Sequence, residues 1–487
     1  MLHSAALLAA DQSRSADKTA IEGGMPGVAL MERAGRAVVD VVCQHFRPCM
    51  ALVVCGVGNN GGDGFIAARI LKERGWTVML AVAGNADAIT GDAKRAKDKW
   101  NMAGGASRTF SPGLLRDCGV IVDAIFGTGL SRNVEGAALD AINAINAAHL
   151  PVVSVDIASG IDADTGHVMG GAIRARHTVT FVRPKPGHVL LPGKAHTGEL
   201  HVYDIGISGE GIAPSQYLNL PELWKSAFPF PAPEANKYTR GHAVVIGGGI
   251  NMTGASRLAA ISALRAGAGL VSVACSPEAL PVYASSLLAV MTKPAADLKQ
   301  LKELLEDKRI TTVLIGPGCG VDEATRERAL YILSLKKPCV IDADAISAFA
   351  ENPKQLFSAL HASAVLTPHE GEFTRLFKSE GTKSQRAADA ARQSGAVILF
   401  KGNDTVIAAP GGRVAINANA PPWLATAGSG DVLAGIITGL LAQGMPAFEA
   451  ACAGAWMHGE AATGFGPGLI AEDIPAALPA VFRKLYG

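Results

Sequence analysis

The sequence predicts an α/β protein built from two doubly wound domains. Short Val/Ile/Ala runs recur, each followed by a Gly-rich turn, and the chain holds 56 glycines among 487 residues. Buried parallel strands read as such near-continuous apolar runs. Helical stretches separate the runs, so the order is βαβ repeated. A Pro-rich stretch interrupts the pattern once, and 487 residues suit two or three domains of about 100–200 residues each.

Residues 14–42 are expected to be helical and contain Leu30-Met31-Glu32-Arg33-Ala34-Gly35. Residues 51–55 read as a strand, 56–64 as a Gly-rich loop and 65–74 as the helix after it. Further strands are expected at 77–82, 120–124 and 152–156. Residues 208–236 carry Pro214, Pro221, Pro229, Pro231 and Pro233 with little apolar periodicity. They predict a linker, set at 211–236 between domains of residues 1–210 and 237–487. The second pattern opens with a strand at 243–246, the turn Gly247-Gly248-Gly249 and an Ala-rich helix at 254–268. Strands at 312–315, 339–342, 364–366 and 397–400 each run into glycine or polar residues. Ligands of α/β sheets bind at such strand C-termini, so these edges predict one large site.

Composition excludes several classes. The formal net charge is +1, which argues against a nucleic-acid or anionic-membrane partner. The eight cysteines form no C-x-x-C pair and lie in apolar segments, so they read as buried hydrophobes in a reducing compartment. The start of the chain lacks a basic n-region and makes a poor signal peptide. Residues 432–447 are the best candidate membrane span, but Gly435, Gly439, Gly444 and Pro446 interrupt them, and a buried helix is expected instead. A cytoplasmic protein follows.

Gly56-Val57-Gly58-Asn59-Asn60-Gly61 satisfies G-x-G-x-x-G between a strand and a helix. Glycines there let backbone N–H groups approach a phosphate, and the helix start favours negative charge. Hydride-transferring versions want an acid at the end of the next strand, whereas this strand runs into Ala83-Gly84-Asn85. The loop continues as Gly62-Asp63-Gly64, and its amides and carboxylate suit polar or cation contacts. Asp123 and Asp156 add acids at strand ends, followed by Gly127-Thr128-Gly129 and by Ser159-Gly160. One such acid reads as a helix cap, but aligned edges read as a pocket. An all-oxygen donor set without a Cys/His cluster suits an alkali or other hard cation.

In the second half, Gly428-Ser429-Gly430-Asp431 precedes an apolar helix. Small residues let consecutive N–H groups converge beside the helix's positive end. Asp431 reads either as a first-turn acid serving the dipole or as a base for a hydroxyl approaching a phosphoryl group. Lys401-Gly402-Asn403-Asp404-Thr405 and Gly316-Pro317-Gly318 occur upstream in the order a nucleotide site needs, which favours the base. His369 follows a strand and is expected at the site rim. Asp342 and Asp344 read equally as a water-mediated Mg²⁺ site and as helix caps.

Taken together and in order, Leu30-Met31-Glu32-Arg33-Ala34-Gly35, Gly58-Asn59-Asn60-Gly61-Gly62-Asp63-Gly64, Asp156-Ile157-Ala158-Ser159-Gly160, Thr367-Pro368-His369-Glu370-Gly371-Glu372 and Gly428-Ser429-Gly430-Asp431 resemble the bifunctional NAD(P)H-hydrate repair family. The resemblance implies a Rossmann-like α/β/α epimerase domain fused to a ribokinase-like dehydratase domain. By this resemblance Asn59, Asn60, Gly61, Gly62, Asp63, Gly127, Thr128, Gly129, Leu130, Ser131, Arg132, Asn133 and Asp156 bind the hydrated nicotinamide nucleotide. Asn60, Asp123 and Ser159 hold K⁺. In the second domain Ala255, Gly318, His369 and Asp431 contact the hydrate, while Lys401, Gly402, Asn403, Asp404, Thr405, Gly428, Ser429 and Gly430 hold an adenine nucleotide with Mg²⁺. Asp431 is the expected catalytic base and Asp156 the expected acid/base of epimerisation. ADP is the expected donor because the fused arrangement resembles prokaryotic members. The expected partners are hydrated NADH or NADPH, the nucleotide and a second copy of the chain in a homo-oligomer. The rival expectation is a ribokinase-like small-molecule kinase fused to a non-catalytic dinucleotide-binding domain.

Overall fold

A computed structural model describes residues 5–207, 214 and 216–487. The chain divides into two compact units, one of residues 6–216 and one of residues 217–487 with Ala5.

The first unit is a seven-stranded sheet. In spatial order its strands are Ser107–Thr109, Thr77–Val82, Met50–Cys55, Val120–Ala124, Val152–Val155, His177–Phe181 and Glu199–Tyr203. All neighbours pair in parallel. Alternation of side chains along Met50–Cys55 explains the two covered faces. Val53 and Cys55 pack with the helices Gly27–His45 and Asn59–Glu73, whereas Leu52 and Val54 pack with Gly136–Ala147. Strand order reverses direction between Met50–Cys55 and Val120–Ala124, so a crevice opens at their C-terminal ends.

Two local expectations need correction. The helix expected over 14–42 is two helices, Ala10–Glu22 and Gly27–His45. Gly24, at φ +97°, turns the chain, and Pro26 caps the second helix. Residues 59–64 form no loop, because the next helix starts at Asn59 with Gly58 as its cap. Close packing is the reason. A Cβ on Gly61 would lie 2.1 Å from Gly56 O, and one on Gly64 would lie 2.6 Å from the Ala124 side chain.

The second unit's sheet includes, in spatial order, Val414–Asn417, Thr405–Ala408, Val397–Phe400, Ala364–Leu366, Cys339–Ile341, Ile310–Ile315, His242–Ile246, Leu270–Cys275 and Met291–Pro294. Pairing is parallel except around Thr405–Ala408, which is antiparallel to both neighbours. The apolar stretch after Asp431 forms the buried helix Ser429–Ala442. It crosses Thr253–Arg265 closely enough that a Cβ on Gly435 would sit 2.2 Å from Ala259 O. Its glycines therefore serve helix contact, and no described helix is long and apolar enough to cross a membrane.

The expected linker at 211–236 also needs correction over its described part; residues 211–213 and 215 lie outside the described residues. From Tyr217 onward it belongs to the second unit. Trp224 and Phe228 are buried in that unit's main cluster, and Asn219 Nδ2 donates to Asn417 Oδ1 (2.8 Å) and Cys452 O (2.7 Å). Prolines limit regular structure here, but the aromatic side chains bury enough apolar area to anchor the segment.

Candidate functional site

Each unit carries a site at the C-terminal ends of its strands. In the first unit a cavity of about 500 Å³ opens at the sheet's reversal point. Asn59, Asn60, Asp63, Gly127, Thr128, Gly129, Leu130 and Asp156 line it. Gly61 and Gly62 are not among the lining residues; they are buried, with no room for a Cβ beside Gly56 and Met31. Ser131, Arg132 and Asn133 lie beyond the lining on an exposed turn.

Asp156 follows its strand at φ +65°, a left-handed conformation that costs a non-glycine residue about 1–3 kcal/mol. Its carbonyl is held by His188 Nε2 at 2.9 Å, and its carboxylate accepts from the Thr128 amide (3.1 Å) and from Lys185 Nζ (2.8 Å). Lys185 also donates to Thr180 Oγ1 at 2.7 Å. Burial alone would raise the Asp156 pKa, but Lys185 outweighs it and holds the carboxyl below its ordinary value. Asp63 behaves oppositely. Burial and then the charges of Asp156 and Asp17 push its pKa well above the ordinary value. The two carboxyls of one cavity are thus pushed in opposite directions. Gly127 makes the arrangement possible, because a Cβ there would stand 2.9 Å from Asp156 Oδ2 and 3.0 Å from Asn60 Oδ1.

Asp123 is fully buried and accepts from Ser154 Oγ (2.8 Å), Ser159 Oγ (2.6 Å), the Ser159 amide (3.0 Å) and the Ile125 amide (3.3 Å). Burial raises its pKa and those hydrogen bonds only partly oppose the rise. Ser159 Oγ also reaches Phe126 O at 3.1 Å, beside Gly127 and Asn60. Asn60 Nδ2 is buried without a hydrogen-bond partner. The Asp123 carboxyl, Ser159 Oγ, Phe126 O and Asn60 Oδ1 are hard oxygen donors, a set that fits a monovalent cation.

Lys185 and Asp17 were missed by the sequence reading. Lys185 follows the strand His177–Phe181, which that reading had not recognised, so the polar group after its end passed unnoticed.

In the second unit Asp431 sits in the first turn of Ser429–Ala442, after Gly428 at φ +83°. The first bond into that helix runs from the Val432 amide to Gly428 O (3.1 Å), so the amides of Gly430 and Asp431 lie ahead of it at the positive end. The Ser429 amide donates to Thr426 O (3.3 Å), and its hydroxyl meets buried His458 at 3.2 Å. Burial, then the negative charges of Asp342, Asp344 and Glu372, push the Asp431 carboxyl up to about 7 despite the opposing Lys401 ammonium. A carboxyl tuned near neutrality is what a proton acceptor at neutral pH requires.

Lys401 Nζ pairs with Asp342 Oδ1 at 2.8 Å, and Glu372 Oε2 stands 3.8 Å away. Burial opposes its charge, but those two carboxylates hold its pKa above the ordinary value. Asp342 also accepts from Thr367 Oγ1 (2.7 Å) and makes no helix-cap bond. Asp344 accepts from the Gly320 amide at 2.9 Å. Asp404 pairs with Lys383 (2.6 Å), and Thr405 Oγ1 closes a turn onto Gly402 O (2.7 Å). His369 caps the helix Glu370–Leu376 through Nδ1, which accepts from the Gly371 (3.0 Å) and Glu372 (3.2 Å) amides. Gly318 lies against Gly248 and Met252, beside the start of the helix that carries Ala255.

The family model described as NAD(P)H-hydrate dehydratase matches residues 243–467, and one described as YjeF-related protein N-terminus matches residues 27–187. The bifunctional NAD(P)H-hydrate repair enzyme of Moorella thermoacetica is 40% identical over 95% of this chain and 93% of its own. Its counterpart in Escherichia coli is 34% identical over 96% of this chain and 92% of its own. Among solved structures, the ADP/ATP-dependent NAD(P)H-hydrate dehydratase of Bacillus subtilis, co-crystallised with ATP/Mg²⁺, is 26% identical with a TM-score of 0.48, covering 55% of this chain and 98% of its own.

Proposed function

Because the chain belongs to the bifunctional NAD(P)H-hydrate repair family, we propose a division of labour between its two sites. The enzyme interconverts the epimers of hydrated NADH and NADPH and dehydrates the hydrate in an ADP/ATP-dependent step. Nothing favours the rival kinase. We assign epimerisation to residues 1–210 and dehydration to residues 237–487.

In the dehydratase, Asp431 takes the proton from the C6 hydroxyl of the hydrate as that oxygen attacks the terminal phosphoryl group of ADP. The Gly430 and Asp431 amides face the charge passing through that group. The ring nitrogen then expels phosphate from C6, and loss of a C5 proton restores the dihydropyridine. Lys401 to Thr405 would hold the nucleotide, and magnesium would supply charge neutralisation for its phosphates. The observation that carries this reading is the Asp431 carboxyl at the start of Ser429–Ala442, pushed up to about 7. Mixing the protein with hydrated NADH, Mg²⁺ and either ADP or ATP, and following the absorbance of restored NADH, tests it. Accumulation of a stable phosphorylated organic product instead of free phosphate and NADH refutes it.

In the epimerase, the Asp63 carboxyl, whose pKa is raised, donates a proton to the C6 hydroxyl as the ring nitrogen expels it as water. Water re-adds to the other face of the resulting iminium while Asp156 takes its proton, which returns to Asp63 to close the cycle. Two carboxyls whose surroundings separate their pKa values divide acid and base roles in this way. Asn60, Asp123 and Ser159 would hold K⁺, which would supply a positive charge beside the buried Asp123 carboxyl. Epimerisation measured in K⁺ against Li⁺ buffers tests that assignment.

A further inference from the structure

A second cluster lies in the first unit, away from the cavity. His45 ends the helix Gly27–His45, whose first half lines the cavity through Gly27, Leu30, Met31 and Ala34. From Leu30 to His45 that helix rises about 22 Å at 1.5 Å per residue. His177 and Glu199 begin two adjacent parallel strands and sit opposite each other, and His201 is two residues on, on the same face as Glu199. The cluster therefore occupies the strand N-termini, whereas the cavity occupies the C-termini.

Its geometry resembles a coordination shell. One ligand atom from each of His45, His177, Glu199 and His201 lies within 4.8 Å of all the others. His177 Nδ1 is 3.2 Å from His201 Nε2 and 3.4 Å from Glu199 Oε2, and His201 Nε2 is 3.9 Å from Glu199 Oε1. A tetrahedron with metal–nitrogen bonds of about 2.0–2.1 Å has edges of about 3.3 Å. The His45 and His177 rings stand 4.2 Å apart between centroids. A hydrogen bond between two imidazoles explains the pair at 3.2 Å, but not the third ring and the carboxylate gathered on the same point. His177 is buried, His201 is partly buried, and Glu199 is exposed enough to swing inward.

We propose that His45, His177, His201 and Glu199 form a site for one first-row divalent ion of the zinc type, which ties the edge strand Glu199–Tyr203 to the helix end. Three imidazoles and a carboxylate are borderline-to-hard donors that suit Zn²⁺ or Co²⁺ rather than Mg²⁺ or Ca²⁺. With Glu199 as the fourth ligand the shell is closed, which is the arrangement of a structural site.

The test uses the full chain, stripped with a chelator and carrying no affinity tag. Titration with Co²⁺ is expected to give the visible absorption of a four-coordinate ion at one equivalent per chain, and Zn²⁺ is expected to displace it. His45→Ala and His201→Gln are expected to weaken Zn²⁺ binding at least about 100-fold, since even outer partners of metal ligands are worth about 10–100-fold. Both should keep the parent far-ultraviolet circular dichroism and hydrate turnover. The proposal is overturned if the stripped chain gives no Co²⁺ absorption, or if either variant retains Zn²⁺ as tightly as the parent.

Discussion

Lys185 Nζ lies 2.8 Å from Asp156 Oδ1, with the Lys185 side chain only 3% exposed and that of Asp156 14% exposed. The pair joins a left-handed turn after one strand to the segment that follows the next. It favours the charged form of one carboxyl, and that charge helps to raise the pKa of its neighbour Asp63.

Removing one member of that pair should therefore do more than remove a charge. Lys185→Met is expected to destabilise the first unit by about 3–5 kcal/mol, the usual cost of leaving a buried charge unpaired. Denaturant unfolding of the variant measures it. An unchanged midpoint contradicts the pairing.

Asp156→Ala should slow epimerisation by about 10²–10⁴-fold, the usual worth of a general acid or base. The dehydratase should keep its rate on the epimer it accepts directly. Chromatographic separation of the two hydrate epimers over time gives both numbers at once.

Gly127→Ala offers a sterically defined test. Its Cβ would press on Asp156 Oδ2 at 2.9 Å and on Asn60 Oδ1 at 3.0 Å. Epimerisation should fall about tenfold or more, because a misplacement of about 1 Å costs about 10²-fold. Dehydration, a property of the other unit, should stay at the parent rate.

The dehydration rate should follow the ionisation of Asp431. With its pKa at about 7, the carboxyl is protonated below that pH and cannot accept the hydroxyl proton, so the rate should fall as pH drops through 7. Stability runs the other way. The folded chain holds this proton from the ordinary value of 3.8 up to about 7 while the unfolded chain has lost it, so this group's contribution declines as pH rises across that window. Asp431→Asn should abolish nucleotide-dependent NADH recovery and flatten the stability profile in the same window. Retained turnover refutes the role of Asp431.

Lys401→Met should destabilise the second unit by about 3–5 kcal/mol, since it strands Asp342, whose side chain is 1% exposed. Calorimetry of the variant with and without Asp342→Asn should show partial recovery in the double variant.

The sequence by itself determined the two-domain α/β class, because apolar runs ending in glycine turns have few other ways to bury themselves. Strands at Thr77–Val82, Val120–Ala124 and Ala364–Leu366 were legible to the residue. Asp123, Asp156 and Asp431 were legible as acids at strand or helix ends, since local spacing alone puts them there. Tertiary structure decided what each of them does. That Gly61 and Gly62 must be glycine follows from the close approach of Gly56 and Met31, which spacing along the chain does not show. His369 is legible as a residue just past a strand, and only the fold shows that its Nδ1 also caps the helix Glu370–Leu376. Lys185 and Lys401 reach their carboxylates from distant segments, and His45 joins His177 across a helix and a sheet. Charge and burial act through space rather than along the chain, so only the folded arrangement could push one carboxyl's pKa up and its neighbour's down, and gather three imidazoles at a single point.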